Sequence, residues 1–337
     1  MSKVKPSAKF IASNAESVFV DSVQCRSVAG EIAARMQEQS YSTATWSNHP
    51  LNPDNAESDP RGTVDWIFTV DCLNFSFWSD DETKRFSVSY RDKEWTGYWS
   101  MVAAVNRALD EHIPFTSPKF WVSPEFTPEL LAHVFRSSSG VEAPLMAERF
   151  TVLTEAGRAL HDAGFTSFYD VVAQMDKSAV KLVDWVASHI VSFDDAPIYR
   201  GRKVFIYKRA QILAADIWAS FQGHNIGTFT DIDELTMFAD YRVPQILAVL
   251  GCLKYTPDLD RRIKAHESLT SGCSEEVEIR GCSIEAVELI VEEIKSLDPQ
   301  ATVNAVIVDF YLWDTAKEQE KRNTEIFECH RTRSVYY

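Results

Sequence analysis

The sequence lacks any CxxC pair or Cys/His spacing of the kind that holds zinc. Its six cysteines, Cys25, Cys72, Cys252, Cys273, Cys282 and Cys329, are scattered, which argues against a metal site and against a disulfide framework. They read as free thiols of a reducing compartment. A basic excess is missing too: 34 Lys and Arg stand against 49 Asp and Glu, a formal net charge of −15. Proteins that grip long DNA or RNA by its phosphates usually carry a basic face. Long nucleic acid is therefore not the expected partner, although a local cationic spot for one phosphate is allowed. No apolar stretch approaches the length of a membrane span, and the N-terminal MSKVKPSAKFIASNAES has no apolar h-region, so no membrane partner is expected. The expected location is the cytoplasm, with nuclear entry left open. Internal repeats and low-complexity tracts are also missing.

What is present is ordinary globular material. The 337 residues are 45% hydrophobic and 25% charged, enough for two domains or one large one with its own core. Aromatic residues make up 12%, including nine Trp, which is enough for several flat stacking surfaces, although most such rings belong to cores.

Helical patterns dominate. Residues 17–37 carry Val18, Val28, Ile32 and Met36 in a broken amphipathic pattern around Gly30. A polar connection at 47–63, with Pro50, Pro53 and Pro60, is expected to be irregular. The β-branched and aromatic run VDWIFTVDCLNFSF (64–77) reads as strand, and 85–90 with 94–98 reads as a hairpin turning at Arg91-Asp92-Lys93. Helices are expected over 101–110, 127–136, 144–163, 168–190, 208–221, 243–255, 283–296 and 305–322. The fold class is thus mainly α with a small antiparallel β-sheet. The Ser137-Ser138-Ser139-Gly140 run marks the expected cut between an N-terminal mixed lobe (1–140) and a helical lobe (141–337), the alternative being one compact unit.

Three segments place polar residues where apolar ones are expected. In FIYKRAQILAADIWASF, Ala210, Leu213, Ala214, Ile217 and Phe221 form a core-facing stripe flanked by Lys208, Arg209, Gln211 and Asp216. Singly, each flanking residue reads as a bracket on a core helix. Together they read as a site lining with Lys208 or Arg209 near a phosphate. In TMFADYRVPQILAVLG, Asp240 precedes a helix and reads either as a cap or, with Phe238, Tyr241 and Arg242 around it, as a functional carboxylate. In VDFYLWD, Asp309 and Asp314 sit inside an apolar, aromatic run. Buried carboxylates need partners, and either a ligand or the internal Arg280 could supply them. Paired carboxylates with aromatic walls suit glycosidic chemistry, in which positive charge builds on the sugar and a carboxylate stabilises or attacks it while a second carboxyl handles the proton.

The words SAKFIA, TWSNHPLNP, FTVDCLNFSFW, GYWSMVAAVNRALDE, YKRAQILAADIW, TMFADYRVPQILAVLG, LKY, EVEIRGCS and VDFYLWD, in this order from Ser7 to the C-terminus, closely resemble the queuosine salvage family, the queuosine 5'-phosphate N-glycosylase/hydrolases. The resemblance implies a largely helical fold similar to base-excision DNA glycosylases and no cofactor. It also implies cleavage of queuosine 5'-monophosphate to queuine and ribose 5-phosphate, so that queuine can be reinserted into tRNA. It carries the catalytic carboxylate onto Asp240, base stacking onto Phe238 and base contacts onto Asp309 and Asp314, and it places the histidine of TWSNHPLNP at His49. Lys208 and Arg209 are expected at the phosphate, with Tyr241 and Asp216 in the lining. The expected partner is the small-molecule nucleotide, and the expected state a monomer. A different reading is a non-catalytic carrier of queuine or its nucleotide using the same pocket. Direct action on tRNA is disfavoured by the net charge.

Overall fold

The computed structural model describes residues 1–47, 49–81, 83–321 and 328–337. In chain order the elements are α1 (Val4–Asn14), β1 (Val18–Val20), α2 (Ser22–Glu38), α3 (Thr43–Ser47), α4 (Pro60–Cys72), β2 (Ser87–Tyr90), β3 (Lys93–Thr96), α5 (Tyr98–Asp110), α6 (Pro128–Val134), α7 (Met146–Asp162), α8 (Phe168–Ala173), α9 (Ala179–His189), β4 (Ile198–Tyr199), β5 (Arg202–Lys203), α10 (Lys208–Ser220), α11 (Arg242–Val249), β6 (Leu253–Tyr255), α12 (Pro257–Lys264), α13 (Ser274–Leu297) and α14 (Ala305–Lys321). The mainly helical expectation holds. Instead of one small sheet, the described residues form three separate antiparallel pairs, β1–β6, β2–β3 and β4–β5.

The run 64–77, read as strand, is α4 followed by an irregular segment. Asp59 caps the helix by accepting from Gly62 N at 2.9 Å, and Pro60 opens it. From Thr63 to Cys72 every residue except Asp65 is buried, so the helix has no polar face and shows no 3.6-residue period. That leaves composition alone, which favours strand. The hairpin is where the sequence places it, with Tyr90 opposite Lys93 across a two-residue turn, Arg91 and Asp92, both at positive φ.

Three helix boundaries moved for local reasons. Residues 168–190 form two helices, because Asp176 and Lys177 take left-handed conformations and Ser178 caps α9. The helix expected to reach Tyr255 stops at Val249, where Gly251 at φ +76° turns the chain into β6 beside β1. Helix α13 begins at Ser274, nine residues before the expected Ser283. Its Gly281 admits α1 closely: a Cβ there would lie 2.5 Å from Ile11 Cγ2. Arg322, the expected end of the last helix, lies outside the described residues.

The irregular segment after α4 is buried, and its carbonyls need donors. Arg209 donates to Asp71 O at 3.3 Å and Cys72 O at 2.6 Å, and Lys208 Nζ to Asn74 O at 3.2 Å. Arg149, 1% exposed, donates to Leu73 O and Phe75 O at 2.7 Å and to Ser76 O at 3.3 Å. Its guanidinium also lies over the Phe75 ring, 4.5 Å from the centroid. The Leu73 carbonyl keeps the Phe75 N–H at 2.8 Å, so Arg149→Met strands the buried Phe75 and Ser76 carbonyls and is expected to lower the unfolding free energy by about 3–5 kcal/mol. Urea unfolding followed by circular dichroism measures this, and a loss below about 1 kcal/mol would show that other donors satisfy the segment.

Candidate active site

A cavity of about 730 Å³ opens between α14, the 238–245 segment, the start of α5, the 74–79 segment and the C-terminal residues 328–337, a size suited to a small-molecule ligand. It takes residues from both sides of the boundary expected at Ser137–Gly140. Helix α14 presents Asp309, Trp313, Lys317 and Glu320 to it at helical spacing, with Phe310 and Asp314 alongside. Tyr41, His49, Tyr98 and Trp99 form an aromatic wall, in which His49 stacks on Trp99 with ring centroids 3.3 Å apart.

Asp240 stands on a short turn fixed from three sides. The Phe238 N–H donates to Asp309 Oδ1 at 2.8 Å. The Ala239 carbonyl accepts from Arg280 Nε at 3.0 Å. Asp240 Oδ1 accepts from the N–H groups of Arg242 and Val243 at 2.8 and 2.9 Å. The cap reading and the functional reading are thus compatible: one carboxylate oxygen caps α11, and Oδ2 makes no hydrogen bond among the described residues. Such a carboxylate is oriented before any ligand arrives.

Its electrostatics are those of two buried carboxyls sharing one ammonium. Burial raises Asp240, opposed by Lys208 and by the two N–H groups. Burial also raises Asp309 well above the carboxylate range, and the neighbouring Asp240 raises it further, with a single N–H and Lys208 opposing. Burial lowers Lys208 to about 8, against Asp240, which raises it. With two N–H donors against one for Asp309, Asp240 is the better placed of the two to carry charge, and Asp309 is raised further by it.

Of the residues singled out from the sequence, Asp240, Phe238, Asp309, Asp314, His49, Tyr241, Lys208 and Asp216 all line the cavity. Arg209 does not. Its guanidinium is spent on the Asp71, Cys72 and Ser192 carbonyls, so it is removed from the phosphate. Lys208 reaches the cavity but its ammonium faces the Asn74 carbonyl and Asp240, where a phosphate would meet carboxylates. Arg280 is no partner of Asp309 or Asp314 either. It pairs with Asp195 at 2.5 Å and Glu276 at 3.2 Å, while Asp314 accepts from the Tyr41 hydroxyl at 2.5 Å.

Sequence reasoning missed a cationic group at one end of the cavity. Arg242 donates to Glu320 at 3.1 Å, Lys317 to the same carboxylate at 2.6 Å, and Arg85 lies 3.9 Å from it. Arg242 and Lys317 on one carboxylate leave a local positive excess. These residues span 85 to 320, and only Arg242, inside TMFADYRVPQILAVLG, carried a signal. The tail residues His330, Arg331 and Tyr337 were missed as well. Burial and Arg280 push the His330 imidazole down to about 3, so it stays neutral. Among the described residues, no group of three or more His, Cys, Asp and Glu side chains is arranged to hold a metal ion.

The family model described as queuosine salvage protein matches residues 51–337. A Schizosaccharomyces pombe protein is 42% identical with 100% of both chains covered. A Bos taurus protein is 40% identical over 99% of this chain and 98% of its own, and a Sphaerobacter thermophilus protein is 35% identical over 97% and 95%. All three carry the name queuosine 5'-phosphate N-glycosylase/hydrolase. With a match of this extent, laid over the cavity that Asp240 and Asp309 share, the chain belongs to the queuosine salvage protein family.

Proposed function

We propose that this chain hydrolyses the N-glycosidic bond of queuosine 5'-phosphate, releasing queuine and ribose 5-phosphate for salvage into tRNA, with Asp240 as the carboxylate at the anomeric carbon. The observation that carries the reading is the asymmetry of the two buried carboxyls: Asp240 accepts from two N–H groups and faces Lys208, whereas Asp309 accepts from one and is raised further by Asp240. As the bond to the base lengthens, positive charge grows on the ribose, and the oriented Asp240 oxygen stabilises it. The electron pair of the breaking bond leaves with the base. Queuine is a 7-deazaguanine, so the nitrogen that ordinary purines offer for protonation is carbon, and protonation must occur elsewhere on the ring. Neutral Asp309 can supply that proton to the guanine-like edge. Water then adds to the sugar carbon and gives its proton to the Asp309 carboxylate, which restores the starting pair. Phe238 and the aromatic wall take the faces of the base, and Asp314, already accepting from Tyr41, suits the cationic secondary amine of the queuine side chain. The 5'-phosphate fits the Arg242, Lys317 and Arg85 end, where it would compete with Glu320 for three cations.

A carrier of queuine needs the aromatic wall but gains nothing from an ionised carboxylate beside a protonated one, which favours the enzyme. Asp240→Asn keeps the shape and loses the charge. It is expected to bind the nucleotide while base release, followed by chromatography, drops by at least about a thousandfold. Turnover near that of the unaltered protein would reduce Asp240 to a cap. Because burial raises Asp240, the acidic limb of kcat/KM is expected above the usual aspartate value of about 4. A limb at or below that value would count against this assignment.

The phosphate assignment separates cleanly from the sequence expectation. Queuosine 5'-phosphate is expected to exceed queuosine in kcat/KM by about ten- to a hundredfold, the worth of one or two charge-assisted contacts. Arg242→Met and Lys317→Met should shrink that ratio, and Arg209→Met should not. Retention of the full ratio in both of the first two variants would move the phosphate elsewhere.

A further inference from the structure

Asp71 is a buried acid that the mechanism above does not use. It is fully buried in the last turn of α4 and outside the cavity lining. Its Oδ1 accepts from Asn74 Nδ2 at 3.3 Å, while Oδ2 has no hydrogen-bond partner among the described residues. A buried carboxyl oxygen left in this way needs an explanation. The Asn74 residue that Asp71 holds through its side chain is also the one whose carbonyl accepts from Lys208 Nζ. Lys208 therefore has Asp240 on its cavity side and Asp71 behind it, with Asn74 as the shared fixture.

We propose that Asp71 is a positioning residue for the hydrolysis: through Asn74 and by its charge it keeps the Lys208 ammonium protonated against Asp240, without touching the substrate. This rests on the hydrolase reading above. The other groups around the pair are compatible with it. Asp71 faces Lys208 and Arg209 of α10 and Tyr98 of α5, with Cys72 beside it on its own helix. Lys208 faces Asp240, Asp309 of α14, Arg209, and Arg280 of α13. The Arg209 and Arg280 cations push Lys208 towards losing its proton, and Asp71 and Asp240 oppose them. Burial raises Asp71 to about 7 against the opposing Asn74, Lys208 and Arg209, and Lys208 is lowered to about 8. Asp71 therefore gains its charge at higher pH than an ordinary carboxyl, and Lys208 loses its own at lower pH than an ordinary ammonium. Its support is small in acid and largest on the alkaline side.

The test is the pH profile of Asp71→Asn in the full-length protein with queuosine 5'-phosphate as substrate. The amide keeps the Asn74 hydrogen bond and removes the charge, so Lys208 should deprotonate about one unit earlier. Its kcat/KM should then fall about tenfold near pH 8.5 and by less than about twofold near pH 6.5, with KM little changed. A role in packing alone would lower activity equally at both pH values, and that result, or no change at either, overturns the proposal. If the variant does not fold, Asn74→Ala supplies the second arm. It removes the hydrogen bond that favours ionised Asp71 and is expected to move the alkaline limb in the same direction, and an unmoved limb overturns the proposal. Absence of base release by the unaltered protein would instead overturn the hydrolase reading, and this inference with it.

Discussion

Six consecutive backbone carbonyls, from Asp71 to Ser76, are buried where α4 ends and no helix or sheet receives them, and three buried cations satisfy them. The interaction is reciprocal. Arg149, Arg209 and Lys208 could not be buried without acceptors, and the segment could not be irregular and buried without donors. The carbonyls at the end of α4 also lie at the negative end of its dipole, where cations are favoured. Much of the cavity depends on this arrangement, because Asn74, Phe77 and Trp78 line it from that segment and Lys208 enters it from the helix that clamps the segment.

The same constraint decides which cations are left for a ligand. A guanidinium engaged by three carbonyls cannot turn to a phosphate without stranding them, so Arg209 is structural and Lys208 is confined to the carboxylates near Asn74. Arg242, Lys317 and Arg85 are shared with Glu320, a half-buried side chain that can exchange its contacts for a phosphate at lower cost. The acidic net charge and the anionic substrate are reconciled in this way: a nucleotide needs one local positive spot, not a basic face.

A second buried cation fixes the chemistry. Arg280 on α13 ties Asp195, Glu276 and the Ala239 carbonyl together, and its guanidinium lies 4.3 Å from the centroid of the Tyr337 ring. Helix α13, the turn before Asp240 and the C-terminal tail therefore share one side chain. With the Phe238 N–H held by Asp309, the turn that carries Asp240 is held in place before any ligand arrives, which is the condition for electrostatic preorganisation.

The sequence by itself determined the helical class, the hairpin, the family and the carboxylates of the cavity, because these reside in local words: an Asp ahead of a helix, two carboxylates in an aromatic run, a polar turn between two β-rich runs. It did not determine α4, since a helix buried on every side has lost its period and keeps only a strand-like composition. Nor did it determine which basic residues reach the cavity. Lys208 and Arg209 are adjacent and chemically alike, yet one enters the cavity and the other is consumed behind it. Arg85, Arg242 and Lys317 lie far apart in the chain and meet on one carboxylate. Partnership among buried polar groups is a long-range property, and only the tertiary structure decides it.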